Sequence, residues 1–117
     1  MLIVEYFDIQ IDGPDKKVVF KLKGKNSDKS LTIERTPDFE FIEAENQRGA
    51  HCYEGPVAYS PRDCIKQIVF FDKTLEIFTT DNEYDLDLSL ISTELAADFF
   101  KFLELINQDK RFSLEIQ

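Results

Sequence analysis

The chain of 117 residues contains no tryptophan, one methionine, one histidine, two cysteines, four glycines and four prolines. Each scarcity excludes something. So few glycines and prolines exclude collagen-like and low-complexity chains. A structural zinc site takes four ligands, usually in closely spaced Cys/His pairs. His51, Cys52 and Cys64 are all the histidine and cysteine there is, so carboxylates would have to complete the set, which suits zinc poorly. No metal site is expected. No P-loop, GxGxxG, GxSxG or HExxH pattern is present, and no cofactor is implied. No apolar run approaches the roughly 20 residues that span a bilayer. The first ten residues, MLIVEYFDIQ, lack a basic segment and carry Glu5 and Asp8, so they read as a strand rather than a secretion signal. The expectation is a cytoplasmic protein, in which a Cys52–Cys64 disulfide is disfavoured.

Phenylalanine and acid are abundant. Eleven Phe in a chain that is 43% hydrophobic supply a core without disulfide or metal. One domain over residues 1–117 is therefore expected. The net charge is -9, and it is unevenly spread: residues 1–35 balance at +1 and residues 36–117 at -10. A field of that sign repels nucleic acid and anionic membrane and attracts a basic partner. The Lys16–Lys29 cluster has no RNP-like aromatic motif beside it, so neither nucleic acid nor membrane is an expected partner.

Hydrophobic periodicity predicts strands through most of the chain. In residues 2–11, Ile3, Phe7, Ile9 and Ile11 share a face interrupted by Glu5; in 16–23, Val18, Phe20 and Leu22 alternate with lysines. Asp12–Asp15 turns between them, as a hairpin with a longer loop. Residues 31–35, 39–45, 64–71, 75–80 and 84–90 also read as strands, with a tight reversal at Asp72-Lys73-Thr74. From Ser92 or Thr93 the period changes: Leu95, Phe99, Phe102, Leu103 and Ile106 fall at helical offsets, and the helix should end near Asn107. FSLEI (112–116) is a last short strand. The predicted fold is α+β: an antiparallel β-sheet, one long C-terminal helix packed on one face, and a short last strand.

Two stretches are candidates for function. AHCYEGPVAYSPRDC (50–64) gathers His51, Cys52 and Cys64. A Cys–His dyad needs the thiolate within hydrogen-bond reach of the imidazole, but no orienting group or oxyanion-hole signature accompanies this one. Cys64 opens an apolar strand, as small buried hydrophobes do. Tyr53, Glu54 and Tyr59 lie in or beside a loop punctuated by Gly55, Pro56 and Pro61, a setting suited to binding. The second stretch, DNEYDLDLS (81–89), places Asp81, Glu83, Asp85 and Asp87 at every second position. An EF-hand loop would need Gly at position six and Glu at position twelve; Leu86 and Ser92 stand there. On a pleated strand such acids form a stripe spaced by roughly 7 Å, which copies the spacing of phosphates and suits a nuclease cleft.

SLTIERTPDF, HCYEGPVAYS, IKQIVFFDKTLEIF and YDLDLSL, over residues 29–90, together resemble immunity proteins of bacterial contact-dependent growth inhibition and polymorphic-toxin systems. Those tend to carry paired glycines in the loop, where this chain has Gly55 before Pro56. The resemblance implies one-to-one binding of a cognate toxin domain, often a nuclease, whose active site is blocked. It carries over no catalytic residue. The expectation is thus a non-enzymatic toxin inhibitor, a monomer or homodimer, with Tyr53, Glu54, Tyr59, Asp81, Glu83, Asp85 and Asp87 as partner-binding residues. Its rivals are an adaptor domain that binds by sheet-edge pairing and a small thiol-dependent enzyme built on His51 with Cys52 or Cys64.

Overall fold

Period-two patterning emerges as eight strands in a computed structural model that describes residues 1–24, 30–42, 48–55 and 63–117, and of Asp38 and Phe39 the backbone alone. In chain order they are β1 (Leu2–Asp12), β2 (Asp15–Leu22), β3 (Ser30–Arg35), β4 (His51–Glu54), β5 (Ile65–Phe71), β6 (Thr74–Thr79), β7 (Glu83–Asp87) and β8 (Ser113–Ile116). The helix α1 spans Thr93–Ile106 between β7 and β8. The strands form one sheet in the order β4-β3-β2-β1-β7-β6-β5-β8. No helix among the described residues is long and apolar enough to cross a membrane.

The α+β class and the packed C-terminal helix match the sequence reading, but the sheet is mixed rather than antiparallel. β1 pairs with β7, and β5 with β8, in parallel. The second pairing has a simple cause. After β7 the chain crosses the sheet as α1 and returns in its original direction, so β8 runs parallel to its neighbour β5.

The sheet is built of two leaves. One is β4-β3-β2-β1, the other β7-β6-β5-β8, and the β1–β7 joint holds only two register pairs, Leu2↔Leu86 and Ile3↔Asp87. The strip also curls until its β4 end meets the start of β5. His51 pairs with Cys64; Cys52 N–H donates to Asp63 O at 3.0 Å, and Ile65 N–H to Ala50 O at 2.9 Å. Seven strands thus close into a ring, and β8 stands outside it as a flange.

Three local predictions need correction. The register of β1 against β2 slips between Val4 and Tyr6. This bulge around Glu5 moves the buried side from Ile3 to Val4, which is fully buried while Ile3 is 37% exposed. The β1–β2 loop has two residues, not more: Asp12 pairs with Asp15 around Gly13-Pro14. Gly13 has φ 60, and a glycine there followed by the fixed φ of proline is the type II′ arrangement. The strand expected over residues 39–45 is not formed at 39–42. Pro37–Ile42 is a 3-10 turn, and 43–45 lie outside the described residues. Glu40 is committed there to an ion pair with Arg35 at 2.8 Å, and the apolar residues Phe41 and Ile42 are 75% and 71% exposed. Tertiary pairing of one acid overrides the pattern.

The β5–β6 hairpin turns on Asp72 and Lys73, at φ 49 and 61. That is a type I′ turn, which suits right-twisted strands but sets two side-chain-bearing residues in the left-handed region. Replacing Lys73 by glycine removes one such cost and should raise stability by about 1 kcal/mol in urea unfolding. Unchanged or lowered stability would mean that the lysine side chain offsets its backbone strain.

The core lies between the concave face and α1. Val18, Phe20, Leu31, Ile33, Ile68, Leu75, Ile77 and Leu86 project from the sheet, and Phe99, Phe102, Leu103 and Ile106 from the helix. Phe99 meets the rings of Phe7 and Phe20 at 5.8 and 5.3 Å, and Phe100 meets Phe70 at 4.8 Å. Ser92 caps the helix, its hydroxyl accepting from Leu95 N–H at 3.2 Å.

Candidate functional site

With α1 on one face of the second leaf, residues of opposite parity point the other way. Two rows cross that outer face. The first runs Asp85, Glu76, Val69, Glu115 and the second Glu83, Phe78, Gln67, Ser113, each residue the register partner of the next. Glu83, Asp85 and Glu115 are exposed, and Glu76, Val69 and Phe78 half-buried. The result is an acidic face around an apolar strip of Val69 and Phe78, with Phe71, 57% exposed, at its hairpin end.

The tight feature is the cluster of Glu76, Glu83 and Asp85, each offering a carboxylate oxygen within 4.8 Å of the others. Glu76 and Asp85 are direct cross-strand partners. Like charges so opposed destabilise a sheet, and a cation set between them would offset that effect.

The expected site residues do not stay together. Glu83 and Asp85 form the stripe. Asp87 continues it opposite Thr74, but its carboxylate accepts Ser89 N–H at 2.8 Å. Hydrogen bonds from the Ser89 backbone and side chain hold it below the usual carboxylate range. Its role is to shape the turn after β7. Asp81 precedes the strand, exposed, with its N–H donated to Asp63 at 3.0 Å. Tyr53 and Glu54 belong to strand β4, not to a loop. The Tyr53 hydroxyl donates to Glu34 at 3.2 Å, and Glu54 is exposed opposite Leu31. Tyr59 lies outside the described residues. Sequence reasoning missed Glu76 and Glu115. Glu76 was within reach, because the two-residue turn sets the β5–β6 register and hence its place on the face. Glu115 carried no signal, since its neighbour β5 is distant in sequence and parallel.

The stretch around His51 is structural in form. Cys52 and Cys64 are both buried and not joined in a disulfide, and His51 is 4% exposed. Burial pushes the Cys52 thiol above its ordinary range, and the nearby Asp63 and Glu54 push it further. An activated nucleophile needs the opposite shift. Burial likewise raises Tyr84 to about 12, with Cys52, Glu54 and Asp63 adding to it. Asp63 works as a clamp: it accepts from Thr79 Oγ1 at 2.5 Å, Asn82 Nδ2 at 2.8 Å and Asp81 N–H. Those bonds tie the β6–β7 turn to the ring closure and fix where the acidic strand starts.

Comparison of the chain with protein-family models, with curated proteins and with solved structures found no match.

Proposed function

We propose that this chain is a cytoplasmic immunity protein that binds a cognate toxin domain, of the nuclease kind, and neutralises it without chemistry of its own. The acidic face of β7, β6 and β5 lies against the toxin's basic surface and keeps the target's phosphates out. One observation carries the reading: Glu76 and Asp85 oppose each other across strands, with Glu83 beside them and half-exposed Phe78 next in line. Toxin Lys or Arg side chains would relieve that repulsion. The acids speed encounter, and the apolar strip supplies tightness.

The test is co-expression with the C-terminal domain of the protein encoded immediately upstream. Cells should survive only when this chain is present, and the two proteins should co-purify. Glu76→Lys with Asp85→Lys should slow association about tenfold or more at low salt and flatten its salt dependence. Unchanged association of the double variant would remove the face from the binding site. Toxicity without rescue would remove that toxin as the partner.

A further inference from the structure

We propose that the free edge of β8 takes up an extended, basic segment of the partner as an added strand, an inference that rests on the acidic-face reading above. Gln117 N–H donates to Phe70 O at 2.9 Å, and Ile116 is the register partner of Phe70. In a parallel ladder of that register, the N–H and C=O groups of Glu115 and Gln117 turn toward β5, while those of Leu114 and Ile116 turn away. Among the described residues no strand lies beyond β8. The edge therefore presents two donors and two acceptors at alternate positions.

The side chains define what fits there. Glu115 projects onto the outer face at the end of the row that holds Val69, Glu76 and Asp85. A residue set against it on an added strand would stand about 5 Å away between Cβ atoms, where opposite charge stabilises and like charge does not. That position selects Lys or Arg. The positions on either side fall on the helix face beside Leu114 and Ile116, the latter 54% exposed, and select apolar residues. The recognised pattern is apolar, basic, apolar in extended conformation. A second copy of this chain fits worse. A two-fold pairing of β8 that uses all four outward groups sets Glu115 against its own copy.

The probe is a blocked heptapeptide of alternating valine and lysine, titrated into the full chain while backbone amide exchange is followed. Leu114 and Ile116 amides should become protected. The glutamate counterpart of the peptide should bind at least tenfold more weakly, as should a lysine peptide N-methylated on its pairing edge. Ile116→Pro removes a solvent-facing N–H, a place where an edge strand tolerates proline. It should leave the circular dichroism unchanged and weaken binding at least tenfold. Glu115→Lys should transfer the preference to the glutamate peptide. The proposal is overturned if Leu114 and Ile116 stay unprotected, if both peptides bind alike, or if those amides are protected in a free chain of doubled mass. In cells, Ile116→Pro rescuing as the parent does, while Glu76→Lys with Asp85→Lys does not, would overturn the edge and leave the acidic face standing.

Discussion

Phe99→Ala is expected to lower the unfolding free energy by about 4 kcal/mol, within the range for removing a buried aromatic side chain. Phe99 is fully buried, and its ring touches Phe7 of β1, Phe20 of β2 and Phe100 of its own helix. Phe7 and Phe20 also touch each other, so three rings from three elements form one mutual contact. Such edge-to-face pairs add to area burial. Truncation leaves a cavity walled by strands whose hydrogen bonds prevent collapse onto it. A domain of this size has a total stability of roughly 5–15 kcal/mol, so the variant should be near its unfolding threshold at moderate temperature. Urea unfolding checks this: the midpoint should fall with the slope unchanged. A loss below 1 kcal/mol would mean that α1 is not docked through this ring.

Arg35→Gln should cost about 2–3 kcal/mol at neutral pH. The guanidinium donates Nε–H to Glu40 at 2.8 Å, two bonds to Asp109 at 2.7 Å, and one to the Ile106 carbonyl at 2.7 Å. It therefore ties the end of β3 to the 3-10 turn, to the loop after α1 and to a carbonyl of the last helical turn. The Arg35 and Glu40 side chains are 11% and 12% exposed, so their pair is little screened, while Asp109 at 44% contributes less. The same contacts set an acid dependence. The Arg35 hydrogen bond holds Glu40 below 4.5 and Asp109 at about 2 rather than 3.8. Carboxylates lowered in this way contribute stability that is full above their unfolded values and is lost as pH falls through the folded ones. The parent should lose stability between about pH 4.5 and 2, and the gap to Arg35→Gln should narrow over that window. A gap independent of pH would assign the cost to lost packing by the arginine stem rather than to its charge.

Legibility from sequence followed the range of the interactions. The helix was readable because its signals are local: Ser92 caps it, and Phe99, Phe102, Leu103 and Ile106 recur at helical spacing. Alternation likewise placed Val18, Phe20 and Leu22 on the buried side of β2. Alternation says nothing about partners, so the parallel joints β1–β7 and β5–β8 were hidden. The residues that set them are far apart along the chain. The bulge at Glu5 was hinted at by a charge in an apolar register, but its direction depended on Leu22 opposite Val4. Half of the acidic site was legible for the same reason. Glu83 and Asp85 share a strand, whereas Glu76 and Glu115 join them only through register. Tyr53 was misplaced because the glycine and prolines after it suggested a loop, while pairing of Thr32 with Tyr53 extends the sheet one strand further.

The meeting of His51 with Cys64 bears on how many molecules can associate. A sheet with two open ends is a bifunctional monomer in the polymer chemist's sense: each end added exposes another, and growth has no natural stop. Engaging β4 against the start of β5 occupies one of those ends, and among the described residues β8 remains as the other. A monomer of functionality one terminates what it joins. Among the described residues, a strand added at β8 as proposed would find no second free end of the strand order, so the assembly would close at two chains. Under the edge-pairing proposal, the short seam beside a buried histidine would act as a chain terminator and favour a stoichiometry of one to one.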